Sequence, residues 1–377
     1  MENYFNKIEK FIMKIQILDY PDIIKDKVEY FLQDGKRLRP ILCLLFSGVE
    51  IDTSLDTNTN ITYIIASSIE KIHCLSLVLD DLPIMDNDIL RRGKQSFHSK
   101  YSVEFTNFFI YYMFNNIGLS LNILLDNLDT SLDTNNNIKY DIEIFNIINK
   151  LFTYNLNQLI DGQYNDCSLS RAKSSFSKSR AKTDECSFSK SRAKSSDTTN
   201  IETSEITKMK PSQFKDEIKI ILQLLGHIDN LSDISCISNI ISNLELNMKK
   251  TSSLFNLSIC SGFLLQIWSK KLDINESEFK TAFDQLSIWS NILGYMFQIS
   301  DDILDIDSDL EKGSPNICQI LGKQESCKLL KKGCEWLKNM SSEIRNMCII
   351  DFDIEKNIVF SLDIVNEIIG KILGRIG

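Results

Sequence analysis

Proline and glycine are scarce in this chain, at five and 14 residues in 377. Stretches of strict apolar–polar alternation are rare as well, while Leu, Ile, Phe and Asn dominate. Few helix breakers and no period-two pattern exclude a sandwich or barrel and point to an all-α helical bundle. Histidine is rarer still, with three. The ten cysteines are scattered without CxxC pairs, so a structural zinc site is not expected and reduced thiols are. No apolar run approaches the ~20 residues that cross a bilayer, so no transmembrane segment is expected. The first residues mix charges without the apolar core of a signal peptide, and a cytoplasmic location is the expectation. Positive charge is in deficit too: the net charge is −9, which argues against a nucleic-acid partner.

What the chain does have is a stretch from Glu70 to His98, EKIHCLSLVLDDLPIMDNDILRRGKQSFH. Upstream of its acids, Ile61, Ile65, Ile69, Ile72, Leu75 and Leu79 recur at helical spacing. Pro83 predicts a helix end near Leu82. Asp80 and Asp81 then sit at a helix C-terminus, where the macrodipole disfavours anions. Asp86 and Asp88 deepen that repulsion, which a hard cation such as Mg²⁺ would relieve. Arg91 and Arg92 follow, with guanidinium forks suited to phosphate oxygens. A second cluster lies in FQISDDILDID, where Asp301 and Asp305 share a helix face and Asp302 flanks them. An acidic run is usually a solvated surface. Here Ile299, Ile303, Leu304 and Ile306 interleave with the acids, a poor pattern for a surface.

DDLPIMDNDILRRG and SDDILD together resemble the first and second aspartate-rich motifs of the trans-isoprenyl diphosphate synthases. The longer first motif is similar to that of bacterial and plastid-type farnesyl and geranylgeranyl enzymes. The resemblance covers roughly residues 20–166 and 245–325. It implies an isoprenoid synthase-type helical bundle around a central cavity, working as a homodimer. Its reaction would join isopentenyl diphosphate to an allylic diphosphate. It assigns Asp80, Asp81, Asp86, Asp301, Asp302 and Asp305 to about three Mg²⁺ ions, which neutralise the leaving diphosphate as the allylic cation forms.

Other motifs take roles by the same resemblance. In GKRLRP, three cations crowd a helix start, and Lys36 and Arg39 would bind isopentenyl diphosphate with His73 and Arg92. Taken alone, that motif would read as a solvated basic turn. His73 lies about two turns before Asp80 and so on roughly the same face. Gln163 in DGQYND, Lys250 and Thr251 in MKKTSS, Gln298, Arg91 and Lys312 would hold the allylic diphosphate. Lys250 would also assist catalysis by helping that group leave. Cys74, Leu75 and Ser76 occupy the positions that set product length. Leu75 is not aromatic and its neighbours are small, which favours geranylgeranyl diphosphate or a longer product.

The resemblance departs from the family pattern in several places. FTNFFIYYMFNNIG, Phe105 to Gly118, replaces a small-residue helix; its aromatics either pack as core or fill part of the product pocket. Lys312-Gly313 reverses the expected order, Gly322-Lys323 lacks its threonine, and the end keeps Arg375 without a further basic residue. Residues 167–205 repeat SRAK three times, are rich in Ser, Lys and Arg, and read as disordered. These features divide the chain into a first synthase part (1–166), a basic insertion (167–240) and a second synthase part (241–377). The alternatives left open are a farnesyl or longer-chain synthase and a non-catalytic subunit of a heteromeric synthase.

Overall fold

The computed structural model describes residues 20–49, 61–126, 135–179, 214–226, 234–272, 274, 277–352 and 355–374. Residues 1–19, 50–60 and 127–134 and Arg375 lie outside them.

Among the described residues the chain is helical apart from one two-stranded hairpin. Helix α1 (Asp22–Leu32) starts directly after Pro21, with Asp22 in its first turn, a favourable place for both residues. Helix α2 (Leu38–Phe46) follows the GKR turn, and α3 (Ile61–Asp80) carries the apolar stripe to the first acids. The hairpin pairs β1 (Leu90–Arg91) with β2 (Lys94–Gln95). Then come α4 (Phe97–Tyr101), α5 (Val103–Asp126), α6 (Asn135–Ser179), α7 (Lys215–Leu225) and α8 (Ile234–Asn247). A π-helical turn, Met248–Ser252, joins α8 to α9 (Ser253–Ser269). The chain continues through α10 (Ser277–Leu304), α11 (Ile306–Lys312), α12 (Ile317–Leu321), α13 (Lys323–Phe352) and α14 (Glu355–Gly374).

Helix α9 is the axis of the bundle. Every residue from Ser253 to Ile267 is buried, as expected for a helix covered on all sides. It packs on α2, α3, α6 and α10, and α13 covers the far side of α10. By length and composition α3 is apolar enough to cross a membrane. It is mostly buried in the bundle instead, and carries Glu70, Lys71, His73 and Asp80.

One face of the aromatic stretch on α5 resolves into core, while Phe108 and Tyr111 are exposed. Phe105 and Phe109 pack with Phe97, Phe31 and Tyr101 through ring contacts of 4.4 to 6.3 Å. Offset and edge-on rings at such spacings attract beyond their buried area.

Helix α6 continues through Cys167 to Ser179, so the first of the repeats is helical rather than disordered. Its Lys, Arg and Ala residues are good helix formers, and extending an existing helix is cheap. The remaining repeats, 180–213, lie outside the described residues. Further along the 167–240 stretch, α7 buries Ile221 and Leu225 against α10 and α13. Its buried Glu217 accepts from Asn291 Nδ2 of α10 at 2.7 Å. The basic stretch therefore returns to the core before the KKT motif.

Candidate active site

The C-terminal end of α3 and the C-terminal end of α10 meet at a cavity of about 590 Å³. Lys36, Arg39, His73 and Arg92, the four residues expected to hold isopentenyl diphosphate, all line it. So do Gln163, Lys250, Thr251 and Gln298, and the carboxylates Asp80, Asp301, Asp302 and Asp305. These side chains come from six separate parts of the sequence.

The cavity lining is mixed. Leu77, Leu159, Leu254 and Phe297 line it too, each three or four residues along its helix from Asp80, Gln163, Lys250 or Asp301. A charged head and an apolar tail would both find their match. The π turn at Met248–Ser252 shifts the helix register where the site needs it. Thr251 Oγ1 donates to Gln298 Oε1 at 2.7 Å, and Gln298 Nε2 donates to Asp302 at 2.8 Å. Lys250 pairs with Asp166, while Gln163 donates to Asp80.

The first acid loop is shaped by backbone chemistry. Beyond α3 the Asp86 N–H donates back to the Asp80 carbonyl at 3.0 Å. This satisfies a helix-end acceptor and keeps Asp86 near Lys250, beside the cavity lining. The hairpin then reverses direction at Arg92 and Gly93, with φ of 52° and 78°. Both values fit a two-residue type I′ turn, for which glycine is the natural second residue. RRG is thus a turn as well as a cation source. Arg92 lines the cavity and donates to the Asp34 carbonyl at 2.7 Å.

The two aspartates of each DD pair have different environments. Burial raises Asp80 to about 6, partly opposed by Lys250. Asp81 turns away from the cavity and accepts from Arg91. Burial also raises Asp302 to about 6, yet its carboxylate is already held by the Ile317 N–H at 2.8 Å and by Gln298. Asp301 and Asp305 both line the cavity, but α10 ends at Leu304, so Asp305 stands at a helix junction. Asp86 is not among the lining residues; its pKa is raised by burial and lowered by the nearby Lys250.

Several assigned residues are placed elsewhere. Arg91 and Lys312 do not line the cavity; Arg91 pairs with Asp81, and Lys312 with Asp88. Cys74 lines a smaller neighbouring pocket with Asp81 and Arg91, Leu75 is fully buried, and Ser76 lines the cavity beside His73. These three do not form one continuous floor. His73 is held well below its ordinary pKa by burial and by the Arg39 and Arg92 charges, so at pH 7 it is a neutral donor or acceptor.

The structure also adds residues that the motifs did not single out. Asp309 lines the cavity, four residues past Asp305 in the same acidic run, and that spacing was the available signal. Asn316 donates to the Asp302 carbonyl at 2.8 Å and to Asp309 at 2.7 Å. Nothing in its local sequence marks it. Glu70 and Arg37 also line the cavity.

Among the described residues no three His, Cys, Asp or Glu side chains are grouped to hold a metal by themselves. Mg²⁺ does not require that, since it commonly takes one or two carboxylates and completes its shell with water and substrate phosphates. Asp80, Asp301 and Asp305 supply suitable hard oxygens around a cavity rich in phosphate-binding donors.

The fold and this arrangement agree with what the chain matches. Residues 21–204 match the polyprenyl synthetase family. That match covers just under half of the chain. It is 40% identical over 104 residues to geranylgeranyl pyrophosphate synthase 10, mitochondrial, of Arabidopsis thaliana, covering 26% of this chain and 28% of the relative. It is 37% identical over 105 residues to the farnesyl diphosphate synthase of Buchnera aphidicola, covering 27% and 34%. The matched stretch thus spans about a third or less of these relatives' length. The geranyltransferase of Helicobacter pylori superposes with a TM-score of 0.60 at 20% identity, covering 98% of this chain and 97% of that one. A structure of that bacterium's geranyltransferase complexed with magnesium and isoprenyl diphosphate gives 0.59 at 19% identity, covering 98% and 97%. The isoprenoid synthase fold expected from the motifs is therefore the fold observed.

Proposed function

We propose that this chain condenses isopentenyl diphosphate with an allylic diphosphate, using Mg²⁺, to give an all-trans prenyl diphosphate. One observation carries the reading: cations, amides and carboxylates from six parts of the chain line a single cavity together with Leu77, Leu159, Leu254 and Phe297. That mixture suits a substrate with an anionic head and a hydrocarbon tail. Bound Mg²⁺ would neutralise charge on the leaving diphosphate. Lys250 and Gln163 would orient that group, and Lys36, Arg39 and Arg92 would hold the second diphosphate. His73, uncharged, would complete the second subsite without adding to its positive charge. The apolar lining would exclude water from the carbocation.

For the product we propose geranylgeranyl diphosphate. Leu75 is not aromatic, and the lining residues include none from α5, so its aromatics do not fill the cavity. We also propose a homodimer. Phe108, Tyr111 and Leu119 are exposed at helical spacing on α5, and Ile160 and Tyr164 are exposed on α6. Light scattering on the purified chain reads that mass directly.

The deciding experiment incubates the protein with Mg²⁺, labelled isopentenyl diphosphate and dimethylallyl, geranyl or farnesyl diphosphate, then sizes the products. A C20 product is expected. A product that stops at C15 would overturn the length assignment alone. No product from any starter would favour a non-catalytic subunit.

A further inference from the structure

Lys36 and Arg39 reach the cavity from a segment anchored by Arg92 and Lys94 at Asp34 and, inside the core, by one buried ion pair. Arg37, between them, turns inward. Its Nη1 donates to Glu70 Oε1 at 2.7 Å, and the two side chains are 1% and 2% exposed. Its Nη2 donates to the carbonyl of Leu32, the last residue of α1. One guanidinium therefore ties the end of α1 and the start of α2 to the middle of α3.

The backbone is bent to permit this. Arg37 has φ of 51°, in the left-handed region that an arginine rarely adopts. Gly35 is required beside it, because a Cβ there would collide with the Arg37 guanidinium and lie 2.9 Å from Glu70 Oε1. Such conformations persist where surrounding contacts over-determine them. Here the contact is the Glu70 carboxylate.

Glu70 also acts on Arg39. Burial pushes the Arg39 guanidinium down to about 10, and Glu70 heads the charges that oppose this. Arg39 lies over the Phe255 ring at 5.1 Å, and its Nε is buried without a hydrogen-bond acceptor. His73, three residues after Glu70 on α3, lines the cavity with it. Two of the residues that would hold isopentenyl diphosphate, Arg39 and His73, therefore lie near one carboxylate.

We propose that Glu70 and Arg37 are a positioning pair: together they hold the α1–α2 turn so that Lys36 and Arg39 present their charges to isopentenyl diphosphate. The proposal rests on the reading of the cavity as a prenyl diphosphate synthase site. Neither residue has a chemical step assigned to it.

The test is the Arg37→Met/Glu70→Leu double variant, beside Glu70→Gln. Removing both members of the pair avoids stranding either of them as a lone buried ion, and such replacements often preserve stability. Circular dichroism should then show a wild-type helical signal. Calorimetric titration with isopentenyl diphosphate should show at least a tenfold weaker dissociation constant. The allylic KM should stay within about threefold of wild type. Wild-type affinity in a folded double variant would overturn the proposal and leave the pair a structural role. Should the double variant not fold, Glu70→Gln is judged by the same two ratios. A wild-type protein that binds no isopentenyl diphosphate would instead sink the functional reading, and the proposal with it. Wild-type condensation with an unaltered variant sinks the positioning role alone.

Discussion

The Lys312 ammonium donates to both carboxylate oxygens of Asp88 at 3.1 Å, joining positions 224 residues apart. The contact links the first acid loop to α11 beside the second acid cluster. Both partners are partly exposed, so the pair contributes little to stability. A lysine needed for the allylic diphosphate would have to exchange Asp88 for phosphate oxygens. Lys312→Ala should therefore leave the melting temperature nearly unchanged. It should raise the allylic KM by about 10- to 100-fold, the usual range for one lost charge-assisted hydrogen bond. Unchanged KM values would show that Lys312 stays on Asp88 throughout the cycle.

Asp80 and Asp301 line the cavity, whereas Asp81 is committed to Arg91 and Asp302 to the Ile317 N–H. Asp80→Ala and Asp301→Ala should lower kcat by about 10²–10³-fold or more, with the helical circular dichroism intact. Asp81→Ala should act differently. It leaves Arg91 without its main partner, so thermal stability should drop along with activity. Steady-state kinetics and thermal melts on the three variants separate the two classes.

Burial places Asp80 and Asp302 at about 6, above the ordinary carboxylate value. With raised folded-state values, these acids bind protons more tightly in the folded chain, so stability falls as pH rises from about 4 to 6. His73 works in the opposite sense: its depressed value costs stability as pH drops below about 6.5. The clean readout is therefore the melting-temperature gain caused by Mg²⁺. It should be large at pH 7.5, where the carboxylates are ionised, and nearly lost by pH 5. A gain independent of pH would remove these two acids from the cation site.

Gly162 shows why a glycine precedes Gln163. A Cβ at this position would lie 2.7 Å from the Lys250 backbone nitrogen and 3.0 Å from Lys249 atoms. Helix α6 thus touches the π turn backbone to backbone. Gly162→Ala should force the two apart, costing about 1–3 kcal/mol of stability. It should also displace Lys250 and Gln163 together, so kcat falls more than the loss of folded protein explains. A variant with wild-type kcat would show that the π turn absorbs the methyl group.

The outer frame of this protein was legible in its residues. Few helix breakers and 3.6-residue apolar periodicity specify helices, and these are local properties. Pro83 ends α3 close to where it was expected, with Asp80 the last helical residue. The two acid clusters and the basic turn are also short-range patterns, and the fold brings them to one cavity. Partner choice was not legible. Arg91 decides that Asp80 rather than Asp81 faces the cavity, and the Ile317 N–H decides what holds Asp302; those contacts exist only after the hairpin and α12 have packed. Arg37 read as one more cation in a basic turn until Glu70, 33 residues on, was found facing it inside the core. Charge and periodicity are written along the chain. Burial and pairing belong to the packed bundle, because they depend on which distant groups a side chain meets once water is gone.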